Sequence, residues 1–170
     1  MSAVFVTVFT KRLLYTSRMN PPCSEATAYH EASHAVVALI LGRPVDEVNV
    51  LASRESLGVC KFGKARIRPS EDWLEREMLI ALAGIAAEAR HTGNYAWDAA
   101  GRDQQYVRGL AIERAGERRA ARLQRRLLAK VEHLLAHEPH WRAVVLIAQE
   151  LLRRSVVSGR AVRHFLEQGQ

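Results

Sequence analysis

Two histidines four residues apart, with a glutamate directly after the first, are the residues best suited to chemistry in this chain. They lie in the segment His30-Glu31-Ala32-Ser33-His34. Side chains four positions apart on a helix project from one face, so the two imidazoles can bind a single Zn²⁺. A glutamate in the second position of this motif can act on the water that the metal activates. The spacing therefore predicts a zinc site with Glu31 as general base.

The residues around this motif predict a buried helix. Ser24 is a suitable N-cap, and Gly42 followed by Pro44 marks the helix end. Between them almost every residue is apolar or small, and a helix that is apolar on nearly every face is buried. Two histidines and a glutamate are costly there unless each has a partner. This favours a metal site over a pair of core histidines.

A catalytic zinc site needs a third protein ligand and keeps its fourth position open. The downstream candidates are Glu88, His91, Asp98 and Asp103. Their spacing alone does not choose among them.

A second group of histidines has similar spacing without the same chemistry. His133 and His137 are also four residues apart, with His140 close by, but the position after His133 is a leucine. His137 precedes Pro139, near an expected helix end, where partial positive charge is favourable. We therefore expect a surface role for these three histidines.

The elements that must position the zinc site are mainly helical. Aromatic residues make up only 6% of the chain, while Ala, Leu, Val and Arg are abundant, which favours helices over sheets. Two short strands are expected at 45–51 and 57–62. The other expected helices lie at about 71–91, 103–136, 141–154 and 159–168. The predicted fold is mainly α, a compact helical metallopeptidase-type domain with a small β element between the first two helices.

The length of 170 residues fits one domain, at 24–170, after a leader at 1–23 that is expected to be flexible. The apolar run at 1–9 is much shorter than the roughly 20 residues that span a bilayer, so no membrane span is expected. Cys23 and Cys60 form no C-x-x-C pair and are compatible with a reducing compartment. A cytoplasmic location is the resulting expectation.

The chain is basic, with a formal net charge of +7, so anionic partners have to be weighed. Seven arginines and one lysine lie between Arg108 and Lys130, against only Glu113 and Glu117. No aromatic side chain stands among these arginines to stack on bases, which disfavours a nucleic-acid surface. A solvated basic helix face is the simpler interpretation.

Several segments together resemble the peptidase domain of FtsH-type ATP-dependent membrane proteases. Residues 28–38, which include the histidine motif, resemble the zinc-binding helix of that family. Leu57-Gly58-Val59 is similar to the strand that follows, and Ala81–Glu88 to a helix of small residues. Gly101–Gln105 is similar to the segment that carries the third zinc ligand, an aspartate, which falls on Asp103.

This resemblance extends over about 26–167 and implies a site. Asp103 would join His30 and His34 as a zinc ligand, and Glu88 is a candidate for a supporting role behind the ligands. Substrate peptides would lie extended against a strand edge, at 57–60 (Leu57, Gly58 and Val59 among them) or at 48–51. Two positions depart from the family: Ser33 stands where Gly is usual, and Arg102 where Asn is usual, so a cation lies next to the expected ligand.

The sequence contains no G-x-x-x-x-G-K-[ST] phosphate loop. The expected activity is therefore zinc-dependent hydrolysis of peptide bonds in unfolded or flexible protein segments, without an ATPase of its own. A separate unfoldase or adaptor, and an oligomer, are compatible with this interpretation. The alternative is an inactive metallopeptidase-like module that binds an acidic partner or nucleic acid through its basic helix. The intact Glu31 favours catalysis, since a purely structural metal site does not need it.

Overall fold

The computed structural model describes residues 24–51, 58–64, 72–95 and 101–169. The predicted leader and the candidate ligand Asp98 lie outside these residues, so both stay predictions. The described residues form six helices and three short strands, which confirms the mainly helical class. In chain order the elements are α1 (Glu25–Ile40), β1 (Val45–Asn49), β2 (Val59–Phe62), α2 (Trp73–Thr92), α3 (Gly101–Ala115), α4 (Glu117–Ala136), α5 (Glu138–Arg154), β3 (Val156–Ser158) and α6 (Gly159–Gly169).

Helix α1 lies in the core, as its apolar composition predicts. Its N-cap Ser24 accepts a hydrogen bond from the backbone N–H of Thr27 at 3.1 Å, and Gly42 leaves the helix with φ +75°. Nearly all residues at 27–38 are buried. The helix packs mainly against α2 and α5. Polar side chains in this stretch must therefore find their partners inside the protein.

The sheet has the order β2-β1-β3, and both pairings are antiparallel. The third strand, after α5, was not predicted because its three residues are too short to show an alternating pattern. Gly159 lets α6 begin directly beside β1, since a Cβ there would lie 1.8 Å from the carbonyl oxygen of Val45. The strand-edge candidate at 48–51 was wrong: β1 is the central strand, and Glu47–Asn49 pair on both sides.

The single long helix predicted at 103–136 was also wrong. The structure has two helices, α3 and α4, separated by Gly116 with φ +76°. Glycine adopts this backbone conformation without steric cost, so the chain can turn there.

Two other helices begin at different residues from those predicted. Asp72 is the N-cap of α2, accepting a hydrogen bond from the backbone N–H of Glu75 at 3.1 Å, rather than a member of the first turn. Helix α5 begins at Glu138 and accommodates Pro139 in its first turn, where the missing N–H costs nothing.

The helices α1 and α2 form the centre of the core. The middle of α2 is buried over most of its length, and its small residues let α1 approach closely. An ion pair between Arg43 and Glu77 joins the end of α1 to α2, and the Arg43 guanidinium lies 4.2 Å from the Phe62 ring centroid. Among the helices described, none is both long and apolar enough to cross a bilayer.

Candidate metal centre

Helix α1 presents both histidines of the motif to the interior. The exposed fraction is 2% for His30, 1% for Glu31 and 0% for His34. The two imidazole rings lie 4.8 Å apart, centroid to centroid, and meet nearly edge to face. Three polar side chains are thus completely desolvated within five residues of one helix.

Asp103, in the first turn of α3, brings a carboxylate to both imidazoles. Its Oδ2 lies 2.9 Å from Nε2 of His30 and 3.6 Å from Nε2 of His34. One potential ligand atom from each of the three residues lies within 4.8 Å of the others. Ligand atoms around a tetrahedral zinc lie about 3.3 Å apart, given bonds of about 2.0–2.1 Å. The three side chains therefore have the chemistry and the spacing of a zinc site.

His91, another residue weighed as third ligand, has other partners. It stacks on Tyr29, with ring centroids 3.9 Å apart, and its Nε2 lies 3.3 Å from Glu25 Oε2. Asp103 itself lies in the first turn of α3, which begins at Gly101.

Each imidazole is also held at its second nitrogen. Nδ1 of His34 donates a hydrogen bond to the carbonyl oxygen of Ile80 at 2.7 Å. Because a carbonyl can only accept, the neutral His34 ring carries its proton on Nδ1 and keeps a lone pair on Nε2. Nδ1 of His30 lies 3.3 Å from Oε2 of the buried Glu88. Partners of this kind orient metal-binding histidines and fix their tautomer.

Two glycines allow the backbone to approach these side chains. A Cβ at Gly84 would lie 2.4 Å from Nε2 of His30, so α2 can pass this ring only with no side chain there. A Cβ at Gly58 would lie 2.6 Å from Cγ of Glu31 and 2.9 Å from the carbonyl oxygen of Asn49. The sequence places Gly84 in a run of small residues, but nothing in that run indicates its contact with His30.

Two of the three predicted substrate-binding residues lie in the part of the chain that the structure describes. Leu57 lies outside the described residues. Gly58 lies against Glu31, and the half-buried Val59 begins β2, paired with Asn49. The strand start is therefore next to the proposed general base.

The two residues that depart from the family pattern leave the centre unobstructed. The Ser33 hydroxyl donates a hydrogen bond to the carbonyl oxygen of His30 at 2.7 Å, which satisfies it within α1. Arg102 is exposed, whereas its neighbour Asp103 is buried.

Burial and neighbouring charges shift the pKa values of the four groups at the centre in different directions. Burial raises the pKa of Glu31 to about 8, and the charge of Asp103 adds to the rise while His30 opposes it. Burial lowers the pKa of His34. Burial acts in the same direction on His30, but hydrogen bonds with Asp103 and Glu88 outweigh it and raise the pKa of His30 to about 10. Burial would raise the pKa of Asp103, yet its hydrogen bonds with the two histidines leave it lowered.

Two carboxylate oxygens at the centre have unused capacity to bind a cation or a water. Oε2 of Glu31 and Oδ1 of Asp103 are buried and have no hydrogen-bond partner within the part of the chain that the structure describes. Buried polar atoms without partners are costly and uncommon in native proteins. A divalent cation with its coordinated solvent would satisfy both, so the residues present fit a zinc ion.

The comparisons with known proteins give a distant match that covers little of the relative. No protein-family model matches the chain. The chain is similar to the ATP-dependent zinc metalloprotease FtsH of Protochlamydia amoebophila (strain UWE25), with 32% identity over 93 residues. The match covers 52% of this chain and 10% of that protein, so the chain spans about a tenth of the relative's length. The chain thus has a distant, partial similarity to an FtsH zinc metalloprotease.

Proposed function

We propose that this protein is a zinc-dependent metallopeptidase that hydrolyses peptide bonds in unfolded or flexible protein segments. The observation that carries the proposal is the meeting of His30, His34 and Asp103, with potential ligand atoms within 4.8 Å of one another, directly beside the buried Glu31. The similarity to an FtsH zinc metalloprotease supports it.

Each of the three proposed ligands would contribute one side chain to the metal. His30 and His34 would each bind through Nε2, since His34 Nδ1 is engaged by a backbone carbonyl and His30 Nδ1 by Glu88. Asp103 would bind through its carboxylate and leave the fourth position open. When bound, zinc supplies a Lewis acid that polarises the scissile carbonyl and makes water more acidic.

Glu31 is the proposed general base. It would accept a proton from the attacking water and then deliver it to the leaving nitrogen of the peptide. Burial raises the pKa of its carboxyl, so Glu31 holds an accepted proton more tightly than an exposed glutamate does. The close contact with the Gly58 backbone restricts where its side chain can move.

The sheet offers a place for an extended peptide. In the order β2-β1-β3, β2 is an edge strand of the described sheet. A peptide that pairs with the start of β2 would pass next to Glu31, because Gly58 touches that side chain. Pairing of this kind needs a free, extended backbone, which is why unfolded or flexible segments are the proposed substrates.

The test is metal content together with proteolysis of an unfolded substrate. Purified protein should contain about one zinc per chain, by the three-ligand argument. It should hydrolyse reduced, unfolded casein, lose that activity to a chelator and regain it on addition of zinc. Glu31→Gln should keep the zinc while lowering hydrolysis by about 10²–10⁴-fold, because an amide does not accept the water's proton.

Two results would contradict the proposal in different ways. Loss of zinc in Glu31→Gln would make Glu31 a ligand rather than the base. Full zinc content in the wild type, with no hydrolysis of unfolded substrates, would favour the inactive binding module instead.

A further inference from the structure

A basic cleft lies where α2 meets the junction of α3 and α4. Its volume is about 690 Å³. Four arginines line it, together with apolar side chains beneath them; its principal residues, referred to below as the arginine cleft, are Met78, Arg114, Arg119, Arg122, Leu123 and Arg126. The four arginines are exposed and Leu123 is half-buried, with Met78 fully buried beneath, so the cleft has a cationic wall and a small apolar surface at Leu123.

The acids in and beside the cleft are already engaged. Asp72 lies 2.9 Å from Arg114, and Glu75, which lines the cleft, lies 2.7 Å from Lys130. Within the described ranges, no carboxylate forms an ion pair with Arg122 or Arg126. The centre of the cleft therefore presents arginine charge that the described residues do not neutralise.

The spacing of charges on α4 acts against the stability of that helix. Arg118, Arg122, Arg126 and Lys130 follow one another at intervals of four residues, and like charges at this spacing repel. An anionic occupant would relieve this repulsion. Arginine is also the residue best suited to bind carboxylates, because its planar guanidinium can donate two parallel hydrogen bonds.

The shape and lining of the cleft favour a peptide over a nucleic acid. Among the residues that the structure describes, no aromatic side chain lines it, and stacking on aromatics is the usual basis for holding single-stranded bases. The arginines of α4 that line it extend over about 10 Å, given seven residues at about 1.5 Å each. An extended peptide covers that length with about three residues. An apolar side chain of the peptide could lie on Leu123 while its carboxylates meet the arginines.

We propose that the arginine cleft binds acidic segments of the polypeptide substrates and so holds them near the metal centre. This rests on the proposed peptidase function. Arg114 follows Asp103 by eleven residues on α3, so the cleft lies roughly 16 Å along the helix axis from the centre. An extended chain bridges that distance with about five residues. The acidic segment should therefore stand at least about five residues from the cleaved bond.

Binding is tested with a fluorescein-labelled peptide of alternating glutamate and leucine. Its affinity is measured by fluorescence anisotropy at low salt, and every protein variant also carries Glu31→Gln so that the peptide is not cleaved. Arg122→Gln/Arg126→Gln should raise its Kd about tenfold or more, through lost charge-assisted hydrogen bonds. Arg118→Gln/Arg125→Gln is the matched control: it removes the same charge from the same helix, outside the cleft lining. It should raise the Kd by less than about threefold, as a general charge effect. Circular dichroism should show both variants folded, since each relieves like-charge repulsion.

Equal weakening in the two variants would overturn the proposal, because net charge alone would then explain binding. So would tighter binding of a single-stranded oligothymidylate of equal charge, which would make the cleft a nucleic-acid site.

Cleavage kinetics on the active protein test whether the cleft recruits substrates. An unfolded substrate with an acidic tail should show a higher kcat/KM than the same substrate with a neutral tail, and Arg122→Gln/Arg126→Gln should abolish only that advantage. If the wild type cleaves both tails equally, the peptidase function stands and the cleft proposal fails. If the wild type cleaves neither, the peptidase function fails, and recruitment of substrates by the cleft fails with it.

Discussion

The chain contains two pairs of histidines at the same spacing, and the structure treats them differently. His30 and His34 lie within one continuous helix, buried beside the carboxylates of Asp103 and Glu88. His133 lies near the end of α4, and His137 is already outside that helix, with extended backbone at φ −66° and ψ 122°. Both members of the second pair are exposed.

The second pair of histidines has neighbours of a different kind. The His137 ring lies 4.6 Å from that of His140, whose Nδ1 donates to the carbonyl oxygen of Leu134 at 2.7 Å. Among the described residues, no carboxylate joins these histidines as Asp103 joins the first pair. The comparison teaches that the same spacing brings two imidazoles and a carboxylate together only when the helix continues through both positions and its face is buried against negative charge.

The largest expected difference between the pairs is in zinc content. His30→Ala or His34→Ala should remove stoichiometric zinc, because two remaining ligands hold it weakly. His133→Ala/His137→Ala should leave it unchanged. Metal analysis by mass spectrometry after dialysis measures both. Zinc retained in the double mutant His30→Ala/His34→Ala would contradict the assignment of the first pair as ligands. Zinc lost in His133→Ala/His137→Ala would show that the second pair binds it.

The next largest effect should come from Asp103, with Asp72 as a matched control. Asp103→Ala removes a proposed ligand and should weaken zinc binding strongly, measured by competition with a chromogenic chelator. Asp72→Ala removes an N-cap and one partner of Arg114. It should cost about 0.5–2 kcal/mol of unfolding free energy and leave zinc affinity intact. Equal zinc affinity in the two mutants would show that Asp103 is only structural.

A third prediction compares alanine substitutions at two helical glycines, Gly84 and Gly109. Gly84→Ala would bring a Cβ to 2.4 Å from His30 Nε2, so the ring must move and zinc affinity should fall. Gly109→Ala has no heavy atom within 4 Å of the new Cβ. It should raise helix stability by up to about 1 kcal/mol and leave zinc binding unchanged. Thermal unfolding measures the stability of both variants, and competition with a chelator measures their zinc affinity. Unchanged zinc affinity in Gly84→Ala would contradict the predicted close contact.

The smallest effect is expected at Glu88. Glu88→Gln keeps the size of the side chain but removes the charge beside His30 Nδ1, and loss of such a partner typically costs 10–100-fold in metal affinity. Glu132→Gln, an exposed acid on α4, serves as the control. Affinity equal to that of the wild type would assign Glu88 to ordinary packing.

Much of the fold could be predicted from local patterns, and the errors of prediction arose at one glycine and at one long-range strand pairing. The apolar run and its caps predicted α1 closely, because burial and capping act over a few residues. The predicted long helix failed at Gly116, where one glycine with positive φ divides α3 from α4. The strand Val156–Ser158 escaped prediction because its pairing with β1 joins residues more than a hundred positions apart.

The sequence by itself determined which helix carries the histidine motif, since the i, i+4 spacing and the apolar surroundings are both properties of a short segment. Spacing did not choose the carboxylate: the family resemblance pointed to Asp103, and only the tertiary structure shows that it reaches both imidazoles. Asp103 stands 73 residues after His30 and meets its Nε2 at 2.9 Å because of how α3 packs on the core. Glu88 and Gly84 reach the same ring through the contact of α2 with α1. Such contacts depend on how whole helices pack, and no local spacing encodes them.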